Sequence, residues 1–181
     1  MEFAHDVEIV HLLASPIHRY EGRPADGALS ARGPESFESI EIRGGLGVVG
    51  DRFFAQRAHR EASVTIMAAE SLDHVAASLG IAAIDLALPR RNIVVRGIDV
   101  DALARTAFSI STSSGTIEFA GHRPANPCAW MDAVIGAGAF KALRKRGGVR
   151  CEPLSSGFLS LGPATITATR DLSRLRETTL F

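Results

Sequence analysis

Apolar residues recur along this chain in short runs separated by breakers, a pattern of strands more than of long helices. Val7 to Ala14 is mostly apolar and predicts a buried first strand. Phe37 to Ile42 alternates, Phe37 and Ser39 on one side and Glu38 and Ile40 on the other, and predicts a second. Further strands are expected at Ala62 to Met67, Ile93 to Val95, Phe108 to Ile110, Thr116 to Gly121, Val149 to Leu154 and Ala164 to Ala168. The period changes to 3.6 residues at Ala68 to Leu79, where Leu72, Val75, Ala76 and Leu79 share a helical face and Gly80 supplies the stop. Asp99 to Leu103 predicts one helical turn. Ala129 to Ile135 and Ala139 to Arg146 predict two more helices, broken at Gly136 and Gly138 and closed by Gly147-Gly148. The tail from Arg170 to Phe181 is charged and reads as a short helix or as disordered chain.

Breakers locate the connections. Ser15 to Pro34 is loop-like through Gly22, Pro24, Gly27, Gly33 and Pro34, and a loop of that length in a compact domain is usually functional. Ser113-Ser114-Gly115 marks a hairpin-type turn. Strands at close spacing, with no regular alternation of strand and helix, argue for an α+β fold: a β-barrel or strongly bent sheet with a few peripheral helices. A single domain over residues 1–181 is expected, its core spanning about residues 7–168.

Charge narrows the partners. Lysine plus arginine and aspartate plus glutamate number 20 each, a formal net charge of +0. No global field therefore draws the chain to nucleic acid or to an anionic membrane. Met1 to Asp6 has no basic segment before an apolar run, and no apolar stretch approaches the roughly 20 residues that span a bilayer. A cytoplasmic location follows as the expectation. Two cysteines, Cys128 and Cys151, make neither a disulfide framework nor a spaced zinc site, and in a reducing compartment they are free thiols.

Candidate chemistry concentrates at His122 to Asp132. A strand ends there in a loop stiffened by Pro124 and Pro127, which delivers Cys128 to the start of a predicted helix. Backbone N–H groups and the helix dipole at such a position favour thiolate, the form that attacks sulfur or binds a metal. The same spacing also suits a cysteine packed as a small hydrophobe. Cys151, within a strand pattern and without an evident base, reads as core. Gly44 to Gly50 carries Gly44, Gly45, Gly47 and Gly50 before Asp51-Arg52. It matches neither GxGxxG nor a Walker A motif, and a plain connection is the stronger reading. Asp51-Arg52 reads equally as a local ion pair. Arg90-Arg91-Asn92 at a strand entrance stands either in solvent or facing a ligand with phosphate and amide-like edges. Arg150 sits inside a strand pattern and points to a cavity or to water.

These pieces together resemble the MOSC family, the domain found at the C-terminus of molybdenum cofactor sulfurases and as stand-alone bacterial proteins. The resemblance runs from about Val7 to Ala168. It rests on Ser15-Pro16-Ile17-His18 with Glu21-Gly22-Arg23-Pro24, on Gly47 to Arg52, on Arg90 to Val94, on Pro127-Cys128 with Met131-Asp132, on Gly147 to Arg150 and on Leu161-Gly162. It implies a β-rich, barrel-like fold. It also implies that Cys128 either ligates the molybdenum of a bound pterin cofactor or carries sulfur as a persulfide. Arg90 and Asn92 would contact the cofactor, and Arg52 and Arg150 would suit its phosphate. Relatives commonly carry histidine directly after the Gly-Asp-Arg; this chain has Phe53. The resemblance implies a molybdenum-dependent reductase of N-hydroxylated compounds or a sulfur carrier, served by a separate redox partner or cysteine desulfurase. A binding module without turnover is the third possibility, and a homo-oligomer is compatible with all three. Pyridoxal phosphate has no support in this chain, since Lys141 and Lys145 both lie on a polar helix end.

Overall fold

The computed structural model describes residues 1–172; residues 173–181, which include most of the predicted tail, lie outside that range. Ten strands form, β1 (Phe3–Leu12), β2 (Ser39–Arg43), β3 (Gly47–Val48), β4 (Val64–Ala68), β5 (Ile93–Arg96), β6 (Ala107–Thr112), β7 (Gly115–Pro124), β8 (Val149–Pro153), β9 (Gly157–Ser160) and β10 (Gly162–Ala168). Seven of them close a barrel in the order β1-β10-β6-β7-β8-β4-β5, and β1 pairs with β5 to complete it. A side sheet carries β3-β2-β9. The expected α+β, β-rich barrel is the observed architecture.

Alternation sorts each barrel strand. On β8, Val149 and Cys151 face the interior and are fully buried, while Arg150 and Glu152 lie on the outer face. The interior is filled by aliphatic side chains such as Leu12, Ile66, Ile110 and Ile166, with Phe108 stacked on Phe119 at 5.3 Å. Burial pushes the Cys151 thiol pKa upward, which fits its reading as core. Among the described residues the one parallel pair, β4 with β5, needs a crossover. Helix α1 (Ala69–Leu79) makes it and ends at Gly80 in a left-handed conformation, φ 66°. A second apolar cluster outside the barrel joins α1 to α2 (Trp130–Val134) and α3 (Ala139–Ala142) through Met67, Leu72, Trp130 and Leu143.

Several boundaries differ from the expectation. The second strand starts at Ser39, because Ile40 and Ile42 are the residues that reach the core, while Phe37 stays exposed. The helix expected through Arg146 stops at Ala142, and Lys145 turns left-handed at φ 60°. Strands β3 and β9 are too short to register as patterns. β7 runs on to Pro124 through a register shift against β8 between Gly121 and Arg123, a bulge that re-aims the outgoing chain toward the candidate loop.

Candidate functional site

The loop after β7 carries Cys128. Ala125 N–H donates to Gly148 O at 2.8 Å and ties the loop to the start of β8. The backbones press closely there: a Cβ on Gly147 would stand 2.0 Å from Ala125 O, so this position accepts only glycine. Arg91 braces the same junction from below. Its guanidinium donates to Gly147 O at 3.0 Å, Pro89 O at 3.2 Å and Ala125 O at 2.9 Å. Beyond the loop, Met131 N–H donates to Cys128 O at 3.0 Å and α2 begins. That helix has only 5 residues, so few peptide dipoles add up behind Cys128.

Cys128 is exposed and lines an open cleft of about 200 Å³ on the outer face of the barrel, together with Arg52, Arg90, Arg91 and Arg150. Aromatic rings make its walls. Tyr20 lies stacked on Trp130 at 5.1 Å, with its hydroxyl donating to Leu88 O at 2.6 Å. On another side, Phe53 packs against His59 at 4.6 Å and meets His18 edge-on at 6.4 Å. Burial and the nearby Arg52 charge hold the His18 pKa below its ordinary value.

Of the residues expected at a site, Cys128, Arg52, Arg90 and Arg150 come together here, and Asn92 does not line the cleft. Asn92 is buried behind it. Its amide nitrogen donates to Leu13 O at 3.1 Å and to Asp51 Oδ2 at 3.2 Å, and its amide oxygen accepts from Thr65 N–H at 2.9 Å. Asp51, also buried, accepts from Ser15 N–H at 3.2 Å and from Phe53 N–H at 3.0 Å, and lies 3.5 Å from Arg52 Nη1. The Asp51–Arg52 ion pair therefore exists and also aims the arginine. Arg52 stacks over Phe53 at 4.6 Å. Its Nε and Nη1 are buried with no hydrogen-bond partner. Burial lowers the Arg52 pKa, and Asp51 only partly offsets this.

Arg90 is differently used. Its fork closes on Glu35, Nη1 to Oε2 at 2.7 Å and Nη2 to Oε1 at 2.9 Å, which occupies the bidentate geometry a ligand would need. Arg90 also sits at φ 59°, a left-handed conformation unfavourable for a residue with a Cβ. Arg19 and Ser15 donate to the same carboxylate. The glycine run contributes no anion cradle: Gly45 N–H donates to Pro153 O at 2.7 Å and Gly44 N–H to the Ser156 hydroxyl at 2.9 Å.

Arg150 makes no side-chain hydrogen bond or ion pair among the described residues. Burial and the facing Arg123 lower its pKa. Burial, with Arg150 close by, likewise pulls Arg91 down to about 10. Cations here raise one another's electrostatic energy, a state that a bound anion relieves. Arg91 and Glu35 were not singled out as site residues from sequence. Arg91 is visible in the sequence only as the middle of Arg90-Arg91-Asn92, and Glu35 falls between the Ser15 to Pro34 loop and the strand expected from Phe37, with no periodic signal.

The donor set fits a soft metal bound through one thiolate better than an all-protein cage. Among the described residues no group of three or more His, Cys, Asp or Glu could hold a metal ion. Neither lysine lines the cleft. No helix among the described residues is long and apolar enough to cross a membrane.

Residues 42–164 match the family described as MOSC domain. No curated protein matches the sequence significantly. Among solved structures, the YuaD protein from Bacillus subtilis is similar with a TM-score of 0.73 at 16% identity, over 94% of this chain and 100% of that one. YiiM from Escherichia coli gives 0.57 at 12% identity, over 97% of this chain and 74% of that one. YiiM from Geobacillus stearothermophilus gives 0.58 at 12% identity, over 88% and 74%. At such identities these likenesses concern the fold.

Proposed function

The chain belongs to the MOSC family, and from that premise we propose that it binds a molybdenum-bearing pterin cofactor through Cys128 and reduces N-hydroxylated compounds. One observation carries the reading: an exposed thiol opens onto a cleft that Arg52 also lines, a guanidinium paired with Asp51 at 3.5 Å whose buried Nε and Nη1 make no hydrogen bond. A buried donor left unsatisfied costs roughly 1–3 kcal/mol. A phosphate or other anion in the cleft would recover that cost, and Arg150 would add a second positive charge. The cleft, at about 200 Å³, would enclose only part of a pterin-sized molecule, since sites for drug-sized ligands usually measure about 300–1,000 Å³.

When bound, such a cofactor supplies the redox chemistry. The protein's own residues bind and orient. Cys128 offers a soft thiolate ligand. Arg52 and Arg150 hold anionic oxygens. Asn92 and Asp51 fix Arg52 from behind, and Arg91 fixes the loop that carries Cys128. Arg90 with Glu35 anchors the Ser15 to Pro34 loop against the cleft. The test is turnover of an N-hydroxylated base by cofactor-loaded protein with a chemical reductant. Activity retained in Cys128→Ser would overturn the role given to the thiol.

The exposure of Cys128 supports a second reading, in which it holds a persulfide received from a separate cysteine desulfurase. Incubation with such a desulfurase and its substrate, followed by intact mass measurement, separates the two. A gain of one sulfur atom on Cys128 without molybdenum in the protein would favour the carrier.

A further inference from the structure

Beyond the cleft, positive charge continues along one outer face of the barrel. Arg123 on β7 stands directly opposite Arg150 on β8 in the strand register, at the bulge between Gly121 and Arg123. Like charges directly opposed across strands are destabilising. Arg150 lines the Cys128 cleft; Arg123 lines two shallow grooves beside it. Arg105 borders the first of these grooves and Arg57 the second. Arg57, Arg105 and Arg123 are exposed. Among the described residues none of these three, nor Arg150, forms a side-chain hydrogen bond or ion pair. Two carboxylates line the grooves. Glu152 is taken by Arg60 at 2.6 Å and lies 3.6 Å from His122 Nε2, which leaves Glu61 alone against four uncompensated arginines.

In a chain whose formal net charge is +0, this is a local concentration of charge, and it borders the one exposed thiol. We propose that the band Arg57–Arg105–Arg123–Arg150 is the docking surface for an acidic face of a partner protein that reaches Cys128. Two features favour a protein over a nucleic acid. The chain has no global positive field. Glu61 and Glu152 interrupt the band, which penalises a continuous polyanion and suits discrete acidic side chains. The proposal rests on the reading of Cys128 as a group served by an external donor, but its test does not need cofactor.

The test compares alkylation rates of Cys128 in the full chain by two peptide maleimides of equal length, one of glutamates and one of alternating glycine and serine. Cys151 is buried, so labelling reports Cys128. The acidic peptide should react several-fold to about ten-fold faster at low ionic strength, as electrostatic steering does. The advantage should shrink near physiological salt, where the screening length is about 8 Å. It should fall to near parity in Arg57→Glu/Arg123→Glu, two exposed positions outside the cleft, while small neutral iodoacetamide reacts with that variant as with wild type. Equal rates for the two peptides, or an advantage unchanged in the double variant, would overturn the proposal. A maleimide-bearing oligonucleotide of matched charge that outpaces the acidic peptide would overturn it in favour of nucleic acid. Bound molybdenum in the same double variant reads the cofactor assignment separately and should equal wild type.

Discussion

Arg90 grips Glu35 with both arms of its guanidinium, at 2.7 and 2.9 Å, and so fastens the long loop after β1 to the entrance of β5. Neither residue is much exposed, with side-chain exposures of 7% and 9%. The pair therefore does structural work beside the cleft, and it makes Arg90 a poor candidate for direct ligand contact while Glu35 is present.

This pair sets an acid-sensitive element. Burial alone would raise the Glu35 pKa, but hydrogen bonds from Arg90, Ser15 and Arg19 outweigh it and hold the carboxyl at about 2, against 4.5 ordinarily. A depressed folded-state pKa gives stability that is present above the unfolded value and is lost as pH falls through the folded one. The melting temperature of wild type should thus fall on acidification from about pH 5 towards pH 2 more steeply than that of Glu35→Gln. At pH 7 Glu35→Gln should cost about 2–3 kcal/mol, since it leaves Arg90 without a counter-charge. Parallel pH profiles for the two proteins would contradict the assignment.

The Asn92 side chain joins two backbone segments, at Leu13 and Thr65, and one carboxylate, with its donors and acceptors fully used. Asn92→Ala should lose about 2–3 kcal/mol in urea unfolding. Asn92→Asp should lose more, because it places a second carboxylate 3.2 Å from Asp51 Oδ2. If Asn92→Asp proved as stable as wild type, the buried amide bridge would be in error.

Arg52 and Arg150 should make the folded protein bind anions. Sulfate or inorganic phosphate should raise the melting temperature of wild type in a saturable way, by mass action on the folded state. The same titration should give a clearly smaller rise in Arg52→Met/Arg150→Met, compared at constant ionic strength with chloride. Equal rises in both proteins would place anion binding elsewhere.

Gly147 tests how tightly the cysteine loop is seated. A methyl group there meets Ala125 O at 2.0 Å, so Gly147→Ala must push the two segments apart. A loss of about 3 kcal/mol or more is expected, together with faster exchange of the Ala125 amide that donates to Gly148 O. Unchanged protection at Ala125 would show that the loop is not held at this junction.

The sequence made the barrel legible because β-branched runs and glycine breakers specify short strands wherever they occur, as at β4, β8 and β10. It made Cys128 legible because two prolines bracket its loop. Other features depend on partners far apart in the chain. Arg90 and Glu35 are 55 residues apart, and nothing local foretells that the fork of Arg90 is already filled. Asn92 looks like a ligand contact from its neighbours and becomes a buried bridge only once β1, β4 and Asp51 converge on it. Arg91 reads as one more charge at a strand entrance until the chain crosses at Gly147 and Ala125. The short helix after Cys128 shows the reverse error: the apolar spacing of Ala129 to Ile135 predicted a longer dipole than the 5 residues formed. The family resemblance singled out Cys128, Arg52, Arg90 and Arg150, which the fold brings to one cleft, but could not tell which of its residues are tied up in the scaffold.

The most direct test of the account is molybdenum and pterin content, measured on wild type and Cys128→Ser purified from a host that makes the cofactor. The account predicts near-stoichiometric molybdenum and pterin in wild type, with molybdenum lost in Cys128→Ser while the melting temperature of the apo-protein is unchanged. Wild type without molybdenum or pterin, or a Cys128→Ser protein that retains both, would contradict it.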